Sequence, residues 1–171
     1  MATGRIVLPA LAWHPPDGSA SNLAATLDFK QSGGAAPSPR YPKWIFNNGG
    51  IYGIQIAFNL PADYASDMDL KISWFGDVLS GNCYWQARVA AMSESDAATP
   101  FTKTFAAGVA VADAVDGTQY ELCQTSISLG EDSAAAGDFI NILLERLGDH
   151  ASDTMLDQAH FLGAILEYTT T

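Results

Sequence analysis

Ile54-Gln55-Ile56-Ala57-Phe58-Asn59-Leu60 alternates without a break, with Ile54, Ile56, Phe58 and Leu60 on one side of an extended chain and Gln55, Ala57 and Asn59 on the other. Side chains of a β-strand point to opposite faces in turn, so this stretch reads as a strand with one buried and one wet face. The same period continues outward. Asp69 to Phe75 sets Leu70, Ile72 and Trp74 against Lys71 and Ser73, and Leu79-Ser80-Gly81-Asn82 then reverses the chain. Cys83 to Val89 returns with Cys83, Trp85, Ala87 and Val89 inward and Tyr84, Gln86 and Arg88 outward, which predicts a hairpin. Asp116-Gly117, a preferred tight-turn dipeptide, signals a second hairpin between Val109-Ala110-Val111 and Tyr120-Glu121-Leu122. Tyr120 and Leu122 lie in one register and Ile127 and Leu129 in the other, so a bulge or bend is expected near Gln124 to Ser126.

Breakers divide the rest. Pro15-Pro16-Asp17-Gly18 closes the first extended segment, Ser32 to Pro39 is a loop, and Asn47-Asn48-Gly49-Gly50 is a turn. Asp138 to Gly148 matches helical spacing through Ile140, Leu143, Leu144 and Leu147, yet its neighbours are strands and a doubly covered strand is continuously apolar, so a strand is expected. Phe161 to Tyr168 reads the same way. Long loops at Gly33 to Pro39 and Ala91 to Pro100 argue against a closed up-and-down barrel. The expected fold is all-β, a jelly-roll-like two-sheet antiparallel β-sandwich of eight or nine strands. It forms one domain over residues 1–171, with residues 1–16 as a candidate N-terminal arm.

Composition narrows the function. With 48% apolar and 16% charged residues the chain has ample surface to bury, and 8 Lys+Arg against 19 Asp+Glu give a net charge of −11. That field repels a phosphate backbone and an anionic bilayer, so neither nucleic acid nor membrane is an expected partner. Arg5 followed by Ile6 to Ala12 superficially imitates a secretory leader, but Pro9 interrupts it and Trp13-His14-Pro15-Pro16 follows. Cys83 and Cys123 are too few for a disulfide scaffold or a four-ligand zinc site, and read as small buried hydrophobes.

Motifs for catalysis are missing: the sequence holds no Gly-x-Ser-x-Gly elbow, His-Glu-x-x-His or phosphate-binding glycine loop, so no catalytic residue, metal or cofactor is expected. Asp149, His150, Asp153, Asp157 and His160 gather the best metal-ligand types, but their spacing fits no standard site and their composition suits a solvated turn. Asp63, Asp67 and Asp69 lack the glycine of a calcium loop and read as turn residues. Among the aromatics, Trp74 and Trp85 are expected in the core, while Trp13, Trp44 and Tyr84 stay open between core and surface; Trp44 and Tyr84 are the candidate ligand-facing rings.

Leu8-Pro9-Ala10-Leu11-Ala12-Trp13, Leu60-Pro61-Ala62-Asp63-Tyr64, Ala136-Gly137-Asp138 leading into Ile140 to Arg146, and the ending Asp149 to Asp157 with Phe161 to Tyr168 resemble, in order and spacing, a set of phage and prophage virion proteins. The resemblance implies a homotrimeric jelly-roll domain on the exterior of a phage capsid, a decoration or cement protein that binds major capsid subunits. The alternative it implies is the receptor- or carbohydrate-binding head of a tail fibre or spike. On the first reading Ile6, Val7, Leu8, Leu11 and Trp13 dock on a neighbouring subunit, and an exposed face of Asp138 to Leu147 or Phe161 to Tyr168 lies on the trimer axis.

Overall fold

Eleven strands form, and the computed structural model describes them over residues 2–18, 22–96 and 102–171. In chain order they are β1 (Thr3–Pro9), β2 (Leu23–Ala24), β3 (Thr26–Gln31), β4 (Arg40–Phe46), β5 (Ile51–Asn59), β6 (Tyr64–Gly76), β7 (Asn82–Met92), β8 (Val109–Ala114), β9 (Cys123–Ser128), β10 (Phe139–Leu147) and β11 (Ala159–Thr170). A six-stranded sheet runs β3-β4-β11-β6-β9, with β1 also paired to β11, and a five-stranded sheet runs β2-β5-β10-β7-β8. Every pairing is antiparallel except the two-residue match of β2 with β5. The strand expected at Asp138 to Gly148 is β10, at the centre of the five-stranded sheet, and Phe161 to Tyr168 lies within β11.

Both sheets press their apolar faces together. Leu70, Ile72 and Trp74 of β6 and Cys83, Trp85, Ala87 and Val89 of β7 are fully buried, and Trp74 meets Trp85 edge to face at 5.6 Å. These strands do not form the expected hairpin. β6 pairs with β11 and β9, whereas β7 pairs with β10 and β8, so the chain crosses from one sheet to the other between them. Alternation reports which face is buried and is blind to whether the next strand lies beside or opposite. Gly81 makes the crossing, at φ +108 with its Cα so close to the Met155 backbone that a Cβ would come within 2.8 Å.

The second expected hairpin is also a crossing. Asp116-Gly117 does turn, with Gly117 at φ 82, but β8 belongs to the five-stranded sheet and β9 to the six-stranded one. Tyr120 to Leu122 lie outside any strand, and burial of Cys123, Thr125 and Ile127 starts a fresh alternation. The register from Trp74↔Cys123 to Asp69↔Ser128 is unbroken, so no bulge falls at Gln124 to Ser126 and the change of register comes from the non-strand segment before Cys123; register shifts occur along β11 against β6. β3 and β4 make a hairpin across the loop expected at Ser32 to Pro39, and β7 pairs antiparallel with the next strand, β8. The loop expected from Ala91 starts after Met92, and residues 97–100 of it lie outside the described residues.

The N-terminal segment is a strand of its own sheet, not a free arm. β1 pairs with β11 from Thr3↔Thr169 to Pro9↔Gly163. A 3-10 turn at Ala10–Ala12 follows, and His14 then bridges to Gln55 on the free edge of β5. Leu8, Ala10 and Trp13 are buried along this path, which runs from a strand of one sheet to a strand of the other.

Candidate functional site

The loop after β10 was the best metal candidate in the sequence, and a side chain takes the place of the ion. Arg146 points inward and is fully buried. Its guanidinium donates Nε to Asp153 Oδ2 at 2.9 Å, Nη2 to Asp153 Oδ1 at 2.8 Å and to the Met155 carbonyl at 2.6 Å, and Nη1 to the carbonyls of Phe46 at 3.1 Å and Asp157 at 2.6 Å. All five of its N–H groups are thereby used. Asp153 also accepts from the Tyr84 amide, His150 stacks on the Tyr84 ring at 4.4 Å, and His160 lies elsewhere on β11. Asp63, Asp67 and Asp69 accept from Tyr168, from Ser66 and Thr169, and from Ser128 respectively. No metal-ligand cluster forms among the described residues.

A trough crosses the outer face of the five-stranded sheet. Phe139, Asn141, Leu143 and Glu145 face outward along β10 at two-residue spacing, a line of about 20 Å. Pro16, Asp17 and Asn22 wall it on the β5 side, and Lys103 and Phe105 on the β7 side, where the Ala106 amide bonds the Val89 carbonyl. Two lobes of about 420 and 290 Å³ meet at Phe105. Glu145 is 3% exposed and accepts from Arg88 Nε at 2.9 Å, while Arg88 Nη2 donates to Gln86 at 2.8 Å. Burial pushes the Glu145 carboxyl up, against the pull of Arg88. Asn141 donates to Gln55 at 3.5 Å, and its own carbonyl oxygen, like that of Asn22, is buried without a partner among the described residues. Gly53 admits Asn22: a Cβ there would come within 2.6 Å of Asn22 Oδ1.

A second groove of about 450 Å³ lies on the opposite side of the sandwich, over the six-stranded sheet. Phe75 and Leu162 form its floor, Lys30, Gln31, Ser32 and Tyr41 of the β3–β4 hairpin one wall, and Tyr120 and Leu122 the other. Tyr41 and Tyr120 are about half exposed, at 49% and 48%. Tyr120 has φ 67, a left-handed backbone that a bulky residue rarely takes. Its ring meets Phe75 edge to face at 5.9 Å and the Lys30 ammonium at 4.8 Å. Behind Phe75, stacked on it at 4.6 Å, His160 links Lys43 Nζ at 2.9 Å to Asp77 Oδ2 at 2.8 Å. An ammonium only donates, so Nδ1 accepts and Nε2–H donates to Asp77. Burial holds His160 below its ordinary value, with Asp77 opposing and Lys43 assisting.

The aromatics chosen from sequence are mostly interior. Trp44 is 4% exposed and donates Nε1 to the Ala10 carbonyl at 2.8 Å, so it is a core residue that holds the N-terminal segment and not a ligand platform. Trp13 is equally buried, edge to face with Phe161 at 5.2 Å. Tyr84 does face outward from β7 but is half-buried under His150. In the N-terminal group Leu8 and Trp13 are core and Ile6 packs partly against it, while Val7 and Leu11 are exposed. Sequence reading missed Tyr41, Phe105 and Tyr120, whose only signal was an aromatic in or beside a breaker-rich segment.

Neither a protein-family model nor a curated protein sequence matches the chain. Solved structures do. The chain superposes on a family 22 xylan-binding domain from Paenibacillus barcinonensis with a TM-score of 0.53 and 10% identity, over 97% of this chain and 94% of that one. A family 11 carbohydrate-binding module of a Clostridium thermocellum cellulosomal cellulase gives 0.50 and 9%, over 97% and 95%. An arabinose-bound α-L-arabinofuranosidase gives 0.50 and 13% over 95% of this chain, which spans only 25% of that enzyme. The likeness is one of fold. It makes the chain a jelly-roll β-sandwich of the kind seen in carbohydrate-binding modules.

Proposed function

We propose that the protein is a non-catalytic carbohydrate-binding domain and that the trough along β10 receives a neutral oligosaccharide. The observation that carries this reading is the trough's make-up. Asn22, Gln55, Arg88, Asn141 and Glu145 set hydrogen-bonding groups beside the apolar surfaces of Phe105, Leu143 and Phe139. A sugar ring has the matching character, hydroxyls at its edge and C–H groups on its faces. Glu145, paired with Arg88 at 2.9 Å, suits a hydrogen-bonding role toward a neutral ligand. Fold likeness to a xylan-binding domain and a carbohydrate-binding module supports the class of ligand. Isothermal titration with xylo- and mixed-linked gluco-oligosaccharides tests it. Phe105→Ala and Asn141→Ala are each expected to weaken binding at least tenfold, about 1.4 kcal/mol. Unchanged affinity in both, or release of reducing sugar, contradicts the reading.

A second reading, a homotrimeric capsid decoration protein bound to major capsid subunits on the virion exterior, draws support from Val7 and Leu11, 71% and 59% exposed beside the β1 edge. Light scattering that shows a monomer at micromolar concentration excludes it.

A further inference from the structure

We propose that the groove over the six-stranded sheet is a separate binding site for an acidic sugar, a pyranose bearing a carboxylate. The two grooves lie on opposite faces of the sandwich, so this site stands or falls independently of the trough. Charge decides the class. In a chain of net charge −11, Lys30 and Arg40 are the only lysine or arginine residues that make no ion pair with a carboxylate among the described residues. Lys30 stands on the wall of this groove, its ammonium held over Tyr120 at 4.8 Å. The acidic groups behind the floor are already engaged, Asp28 by Lys43 at 3.3 Å and Asp77 by His160 at 2.8 Å. The molecule's overall negative field is screened beyond about 10 Å at ordinary ionic strength, so the local ammonium governs what docks.

Ring faces decide the shape. Tyr41 and Tyr120 present half their surface to solvent across an apolar floor of Phe75 and Leu162, and Gln31 and Ser32 add hydrogen-bonding groups at the rim. A pyranose lays its C–H face on such rings, its hydroxyls reach the rim, and its carboxylate meets Lys30. Backbone strain points the same way. Tyr120 keeps a large side chain at φ 67, anchored by its amide on the Gly76 carbonyl at 3.1 Å, where glycine or asparagine would sit more easily. A strained, exposed aromatic beside an unpaired cation marks a position kept for contact with a ligand.

Calorimetry on the full chain tests this with trigalacturonate, neutral galactotriose and benzoate, using wild type, Lys30→Gln, Tyr120→Asn and Asn141→Ala. Trigalacturonate is expected to bind wild type and Asn141→Ala alike, to weaken with added salt, to bind Lys30→Gln at least tenfold more weakly, and to be lost in Tyr120→Asn. The melting temperature of Tyr120→Asn is expected not to fall, because asparagine accepts the left-handed backbone. No binding of trigalacturonate overturns the proposal. So does galactotriose or benzoate binding as tightly, or affinity that survives Lys30→Gln and disappears with Asn141→Ala.

Discussion

Arg146 shows how one side chain can organise a loop that its own residues leave undetermined. Residues 148–158 run without a strand, and the guanidinium's bonds to Asp153, Met155 and Asp157 tie that loop under the end of the sandwich. Removing one partner of a buried, hydrogen-bonded ion pair strands the other, so Arg146→Met is expected to lower unfolding free energy by about 3–5 kcal/mol in urea denaturation. Arg146→Lys is expected to recover little of it, since a lysine keeps the charge but loses the planar fork. His160 gives a pH signature. Its folded-state value is depressed below 6.5, so the unfolded chain takes up a proton that the folded chain resists. This group's contribution is complete above pH 6.5, is lost as the pH falls towards the folded-state value, and changes no further below it. Denaturation at pH 8 and pH 5 should therefore show a smaller drop for His160→Gln than for wild type. At this scale the sequence spoke clearly for Trp74 and Trp85, because alternation marks core positions. It was silent on Arg146, because periodicity cannot say that a charged residue within an apolar run points inward to partners from a distant loop.

Strand by strand, alternation located most of the elements and failed on their pairing. Leu70-Ile72-Trp74 and Cys83-Trp85-Ala87-Val89 look the same whether the two strands lie side by side or face each other across the core. The turn between them decides, and a glycine pressed on a third segment, as Gly81 is on Met155, leaves no local mark. The N-terminal strand posed the opposite problem, since an apolar run bounded by prolines suits an arm and a first strand equally. Its burial resolves the choice: Leu8 and Ala10 are in the core, and Trp44 depends on the Ala10 carbonyl. A chain lacking residues 2–12 is expected to lose its near-ultraviolet circular dichroism and its cooperative unfolding. A truncated chain that folds normally would restore the arm reading.

For the molecule as a whole, composition and period together were enough for a two-sheet sandwich, while both grooves depend on which strands sit at the centre and which loops overhang them. The trough needs β10 between β5 and β7, and the second groove needs the 120–122 segment brought over Phe75. Neither juxtaposition is written in local pattern, so Phe105 and Tyr120 carried no meaning until the strands were ordered. One consequence follows from β1 lying antiparallel against β11, with the Thr170 amide bonded to the Ala2 carbonyl. The two extremities leave the sandwich side by side, so a force pulling them apart meets the hydrogen bonds one at a time, like a zip, and not all together in shear. Tension of that kind peels the first strand away before it reaches β10, whereas a load applied at the trough would pull on the middle of a sheet.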